Sequence, residues 1–155
     1  MISIRKAVQQ DSAAIKELIQ GIMEREFPGA GVMYSGEDLE DPSASYGGKK
    51  DGFFVAEKDG VIVGTVAIKE DTPHTALLRR LFVASELRGK GSGIKLIEYA
   101  MSFCQEHGYH KVIFRGTDAM KAALKACMKC GFIEHDILEL PHVKMLVLEK
   151  RLHKV

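Results

Sequence analysis

The chain has no tryptophan, only three cysteines and four prolines, and aromatic residues make up 7% of it. Charge of one sign is missing too: 22 Lys and Arg stand against 21 Asp and Glu, a formal net charge of +1. That balance excludes the chain-wide basic field of a protein that grips a phosphate backbone without sequence preference, so nucleic acid is not an expected partner. The first residues, Met1-Ile2-Ser3-Ile4-Arg5-Lys6, carry no apolar block ahead of a small-residue cleavage site, the pattern of a secretion signal. An odd number of cysteines without such a signal reads as reduced thiols. The longest apolar run, Val61 to Ile68, is broken by Gly64 and Thr65 and falls far short of the roughly 20 residues of a spanning helix. The expectation is a soluble, cytoplasmic protein with no membrane partner.

What is present is enough for one core. At 155 residues and 46% hydrophobic content, the chain is expected to form a single domain, 1–155, that folds without disulfides or a structural metal. Ile2 to Val8 reads as a strand, and Asp11 as an N-cap for a helix carrying Ile15, Leu18, Ile19, Ile22 and Met23 at helical spacing. Residues 27–52 hold six of the fifteen glycines and two of the four prolines. A loop of that length in a compact domain is usually functional, which makes it the candidate substrate segment, with a short helix near Gly36 to Leu39.

Strands are expected at Phe53–Glu57 and Val61–Glu70, joined across Asp59-Gly60, and then at Thr75–Val83, forming an antiparallel meander. A helix with Ile94, Ile97, Met101 and Cys104 on one stripe follows, ending before Gly108. Next come a strand at Lys111–Arg115, a helix capped by Asp118 and stopped by Gly131, and strands at Phe132–Glu139 and Val143–Glu149. The order β-α-loop-β-β-β-α-β-α-β-β predicts an α+β fold, a mixed and mainly antiparallel sheet flanked by helices.

The most informative segment is Arg88-Gly89-Lys90-Gly91-Ser92-Gly93, at the end of a strand and the start of a helix. Near-alternate glycines let several backbone N–H groups converge, and the first helical turn adds its own unpaired N–H groups and dipole. The result is an anion cradle flanked by Arg88, Lys90 and Lys95, suited to a phosphate or pyrophosphate. It lacks the Lys-Ser or Lys-Thr pair of a Walker A loop, and its G-x-G-x-G spacing after antiparallel strands is not that of a dinucleotide fold.

This hexapeptide, the strand–loop–helix around it and the closing Gly131-Phe132 resemble the GNAT superfamily of acyl-CoA-dependent N-acyltransferases, whose signature is R/Q-x-x-G-x-G/A. The resemblance implies a sheet whose central strand pair splays apart, with acetyl-CoA as cosubstrate. Its pyrophosphate would lie on Gly89, Lys90, Gly91, Ser92 and Gly93 beside Arg88, and its pantetheine arm along Leu81, Phe82 and Val83. The implied reaction is acetyl transfer to a primary amine of a small molecule or peptide by direct attack in a ternary complex. A non-catalytic acyl-CoA-binding regulatory module is the alternative, because Cys127 stands where many members carry a Tyr acid and Met120 where many carry an Asn.

Cys127 is accordingly both a candidate proton donor and a candidate core residue. Glu70 and His74 are the titratable groups nearest the key strand in sequence and are candidate bases, each also readable as a solvated strand-end residue. Glu37, Tyr46 and Arg80 are candidate substrate contacts, and one of Arg79 and Arg80 is expected to face the cleft, where it could recognise a carboxylate. A single Cys127-x-x-Cys130 without a second pair gives no metal expectation. Expected partners are acetyl-CoA and an amine acceptor, with a homodimer also admissible.

Overall fold

The computed structural model describes residues 2–27 and 36–152. Strand β1 (Ser3–Lys6) leads to helix α1 (Ser12–Glu26), whose Ile15, Ile19 and Ile22 are buried. Within the candidate substrate segment, residues 28–35 lie outside the described residues; a 3-10 turn at Glu37–Leu39 and a short helix α2 (Pro42–Ser45) follow. Then come β2 (Gly52–Lys58), β3 (Val61–Thr72), β4 (Thr75–Val83), α3 (Ser92–Glu106), β5 (Lys111–Thr117), α4 (Lys121–Lys129), β6 (Ile133–Leu140) and β7 (Val143–Arg151).

The expected caps are used differently. Asp11 makes no side-chain cap for α1; its carboxylate accepts from Val8 N at 2.8 Å and pairs with Arg5 at 2.7 and 2.9 Å, which ties the end of β1 to the start of α1. Asp118 is not the cap of α4 either, because the helix starts at Lys121 with Met120 before it.

The strands form one seven-stranded sheet in the order β1-β2-β3-β4-β5-β7-β6. Every neighbouring pair is antiparallel except β4–β5. The parallel pair follows from α3, the crossover helix that returns the chain to start β5 beside the start of β4. Helices α3 and α4 cover one face, with Phe54, Val66, Ile68, Leu78, Leu96 and Val112 in their core. Helix α1 covers the other, with Tyr46, Phe53, Val55 and Phe82.

The site is created by the failure of β4 and β5 to stay together. Their pairing runs from Thr75↔Lys111 to Leu78↔Phe114 and stops, although β4 continues to Val83 and β5 to Thr117. The cause lies on the other edge of β4. Thr65 pairs with Phe82 and Ala67 with Arg79, so one extra β4 residue is accommodated there. This bulge places Arg80 at φ 53°, in the left-handed region, and Thr65 Oγ1 holds its carbonyl at 2.7 Å. A bulge bends its strand, and here the bend turns the last residues of β4 away from β5.

Candidate active site

Two clefts meet where the strands part, of about 510 and 440 Å³, and share Phe27, Leu81, Phe82 and Met120. The larger lies towards the glycine loop, between β4, the start of α3 and α4. Gly89 and Gly91 adopt φ 77° and 82°, a conformation costly for any residue with a Cβ. Helical bonding begins only with Lys95 N on Gly91 O at 3.0 Å, and among the described residues the amides of Gly89 to Ile94 make no backbone hydrogen bond of normal geometry. That run of amides, ending on the N-terminus of a 15-residue helix, has the geometry of an anion cradle.

Arg88, Gly89, Gly91 and Gly93 line this cleft, while Lys90 is exposed beside it and Ser92 is buried at the helix start. The Arg88 side chain is already committed. It donates to Val83 O from Nε and Nη2, both at 3.1 Å, and forms a two-point pair with Glu26 at the end of α1, which holds the Glu26 carboxyl below the usual range. Arg88 therefore fastens the loop to α1 and β4, and most of its charge is answered by Glu26. The cationic side chains along the open wall are Lys121, Lys125 and Lys129, one face of α4 at i, i+4 and i+8. Sequence reasoning passed over this stripe, although its spacing was legible.

The N–H of Ala84 donates to Val63 O across β3 at 2.8 Å. Because backbone groups alternate sides along a strand, those of Leu81 and Val83 point the other way, into the opening left by β5. Leu81, Phe82 and Val83 all line the larger cleft.

The second cleft lies on the α1 face of the sheet. Met23, Phe27, Leu77, Ile113 and Met145 make its apolar surface, and Arg79, Arg80 and Arg115 its charged one. Arg80 is locked: its guanidinium meets Asp38 through Nε at 3.0 Å and Nη2 at 2.5 Å, and the Tyr46 hydroxyl donates to the same carboxylate at 2.7 Å. Burial would raise the Asp38 pKa, but the hydrogen bonds from Arg80 and Tyr46 outweigh it and hold the carboxyl below its ordinary value. Tyr46 has 1% of its surface exposed and its pKa is raised, by burial first and by Asp38 second. Thus Tyr46 and Arg80 clamp the segment around Asp38 onto the bulge, and Glu37 sits exposed in the adjoining turn.

The other sequence candidates are not brought to the opening. Glu70 pairs with Ala76 and His74 precedes Thr75, at the closed end of the β4–β5 pair; at about 3.3 Å per strand residue they lie on the order of 20 Å from Leu81. The His74 ring stacks on His110 at 4.4 Å, and the Glu70 amide donates to Asp51. Cys127 is wholly buried in the core between α4 and the sheet, and burial pushes its thiol up to about 12. Beside the three lysines, it is Ala122, Ala123 and Ala126 of α4, with Met120 just before it, that line the larger cleft, and not Cys127. Among the described residues no group of three His, Cys, Asp or Glu is placed to hold a metal ion.

Comparison with known proteins agrees with this geometry. The acetyltransferase (GNAT) family matches residues 16–132, and the chain belongs to that family of acetyl-CoA-dependent acetyltransferases. A probable N-acetyltransferase of Xenopus tropicalis, camello, is 30% identical over 119 residues, which are 75% of this chain and 54% of that protein; the chain thus spans about half the length of that relative. A GNAT-family acetyltransferase of Staphylococcus aureus has the same fold, with a TM-score of 0.86 at 21% identity over 99% of this chain and 100% of the other. So does a putative acetyltransferase of Salmonella typhimurium solved with its cofactor acetyl-CoA, with a TM-score of 0.81 at 16% identity over 99% of this chain and 95% of that one.

Proposed function

We infer that this protein is an N-acetyltransferase that moves the acetyl group of acetyl-CoA to a primary amine, both substrates being bound together across the β4–β5 opening. The observation that carries the reading is the run of unpaired amides from Gly89 to Ile94 at the head of a cleft long enough to follow β4. Acetyl-CoA would supply an acyl thioester, whose carbonyl carbon accepts the lone pair of the amine and whose sulfur leaves as a thiolate.

The chain's own contributions follow from the geometry. The Gly89–Ile94 amides hold the diphosphate, and Lys121, Lys125 and Lys129 answer further phosphate charge at the cleft mouth. The N–H and C=O of Leu81 and the N–H of Val83, whose carbonyl is held by Arg88, pair with the amides of the pantetheine arm as an added strand would. An N–H of that edge donates to the thioester oxygen as negative charge grows on it. No carboxylate or imidazole among the described residues lines the acceptor cleft, so the ammonium proton passes to water. A thiolate whose conjugate acid has a pKa near 8.5 leaves without strong acid help, which is consistent with Cys127 lying outside the cleft.

The test is calorimetric titration with acetyl-CoA, followed by amine-dependent release of free thiol. Micromolar or tighter binding with amine-dependent turnover is expected. Absence of acetyl-CoA binding would sink the reading, and binding without turnover on any amine would leave a non-catalytic acyl-CoA-binding module.

A further inference from the structure

The charge of the acceptor cleft selects its ligand. Leu78↔Phe114 is the last β4–β5 pair, so Arg79 and Arg115 are the next residue on each strand, at the fork where the strands part. By strand alternation they share the α1 face with Leu77 and Ile113, and both line the 440 Å³ cleft. Neither guanidinium makes an ion pair within the described residues; Arg79 lies 5.9 Å from the Tyr46 ring, and its field reaches Asp38. Asp38 itself is taken by a two-point pair with Arg80. Among the described residues that line the cleft, the charged side chains are Arg79, Arg80 and Arg115, and no Asp or Glu is with them.

Arg79 and Arg115 are exposed at the cleft, and their like charge disfavours a polyamine or any second ammonium group, less strongly than in a dry site because water screens it. The cleft accepts an anion readily, and the planar forks of Arg79 and Arg115 suit a carboxylate. The rest of the wall is mainly apolar and includes Met23, Phe27, Ile113 and Met145, whose flexible methionines suit an apolar side chain. Resting on the acetyltransferase reading above, we propose that the acceptor is an α-amino acid, or a small molecule built like one, with its carboxylate on Arg79 and Arg115 and an apolar side chain against the methionines and Phe27.

The experiment compares three amines of matched side chain, leucine, leucinamide and isoamylamine, with spermidine as a polycation, at saturating acetyl-CoA. Leucine is expected to have a kcat/KM higher than the other three by about ten-fold or more, the scale of a charge-assisted hydrogen-bond pair. Arg79→Leu and Arg115→Leu should each erase that preference by raising KM for leucine, with the affinity for acetyl-CoA, measured by titration without amine, unchanged. Equal or faster turnover of isoamylamine or spermidine overturns the proposal. So does failure of leucine, methionine and phenylalanine to react in a preparation that binds acetyl-CoA and acetylates other amines. Loss of acetyl-CoA binding itself is a different result, which removes the enzymatic reading and not merely the choice of acceptor.

Discussion

The two clefts share Phe27, Leu81, Phe82 and Met120 yet are built from different material. The one towards the glycine loop is a backbone site: its donors are the amides of six successive residues, and its shape comes from two left-handed glycines and a helix start. The one on the α1 face is a side-chain site, assembled from Arg79 and Arg80 on one strand and Arg115 on another, with Arg80 held in place by Asp38 from a distant turn. A backbone site tolerates many side chains but few conformations, whereas a side-chain site is retuned by single substitutions. The first suits a ligand common to a whole family, the second a ligand that differs between its members.

The largest expected effect isolates the backbone site. Gly91→Glu places a Cβ at φ 82°, which costs about 1–2 kcal/mol of conformational strain, and sets a carboxylate among amides aimed at an anion. The space around Gly91 is open, so the fold should survive. Affinity for acetyl-CoA should fall by about 100-fold or more by calorimetry, on the scale of losing several charge-assisted hydrogen bonds, with the far-ultraviolet circular dichroism unchanged. Retained affinity would mean that the cradle is not the diphosphate site.

The difference in material also explains what could be read from the sequence. The cradle is local: six consecutive residues, their glycines and the helix after them suffice to state it. Most elements were equally local, and the Asp59-Gly60 turn between β2 and β3 has both residues at positive φ as its sequence predicts. The acceptor side depends on register and on a bulge. Asp38 and Arg80 are 42 residues apart in sequence, and nothing in either neighbourhood announces the partner. Glu70 and His74 misled because they are near β4 in sequence, yet a strand is extended, and proximity to its first residue means distance from its last. Arg115 ends the strand expected at Lys111–Arg115, and its place beside Arg79 follows only once the parallel pairing is known. The caps at Asp11 and Asp118 failed for a tertiary reason, since Arg5 claims the first carboxylate and α4 begins later than its acidic neighbour.

A substitution in the clamp should separate the clefts from the other side. Asp38→Asn removes the carboxylate that the Arg80 guanidinium, 9% exposed, grips at two points, and breaking a buried ion pair costs about 3–5 kcal/mol. The urea midpoint should drop accordingly, and acceptor KM should rise as the bulge loosens, while the acetyl-CoA affinity holds within a few-fold. The sign of the pH dependence follows from the lowered Asp38 pKa. The unfolded carboxyl titrates near 4, so the contribution of the pair is complete above that value and disappears as pH falls through the lower folded value. Wild type and Asp38→Asn should therefore converge in stability on acidification below about pH 4. A constant gap down to pH 2 would show that the clamp stabilises by packing and not by charge.

The smallest effect is expected where the sequence invited the largest. Cys127 stands where the resemblance implies a proton donor, but its side chain is wholly buried, turned into the α4–sheet core with Leu124 and Phe132, and burial pushes its thiol up to about 12. A donor to a departing thiolate must touch it, and a group without exposed surface touches nothing in the cleft. Cys127→Ala should lower stability by about 1 kcal/mol, the cost of a small core deletion, and leave kcat and its pH profile within about two-fold of wild type, since a thiolate of pKa near 8.5 departs unaided. If instead kcat falls by ten-fold or more while thermal unfolding stays near that of wild type, with a shifted alkaline limb, then α4 must turn in the ternary complex. The side-chain character of the acceptor cleft would in that case extend into the helix assigned here to packing.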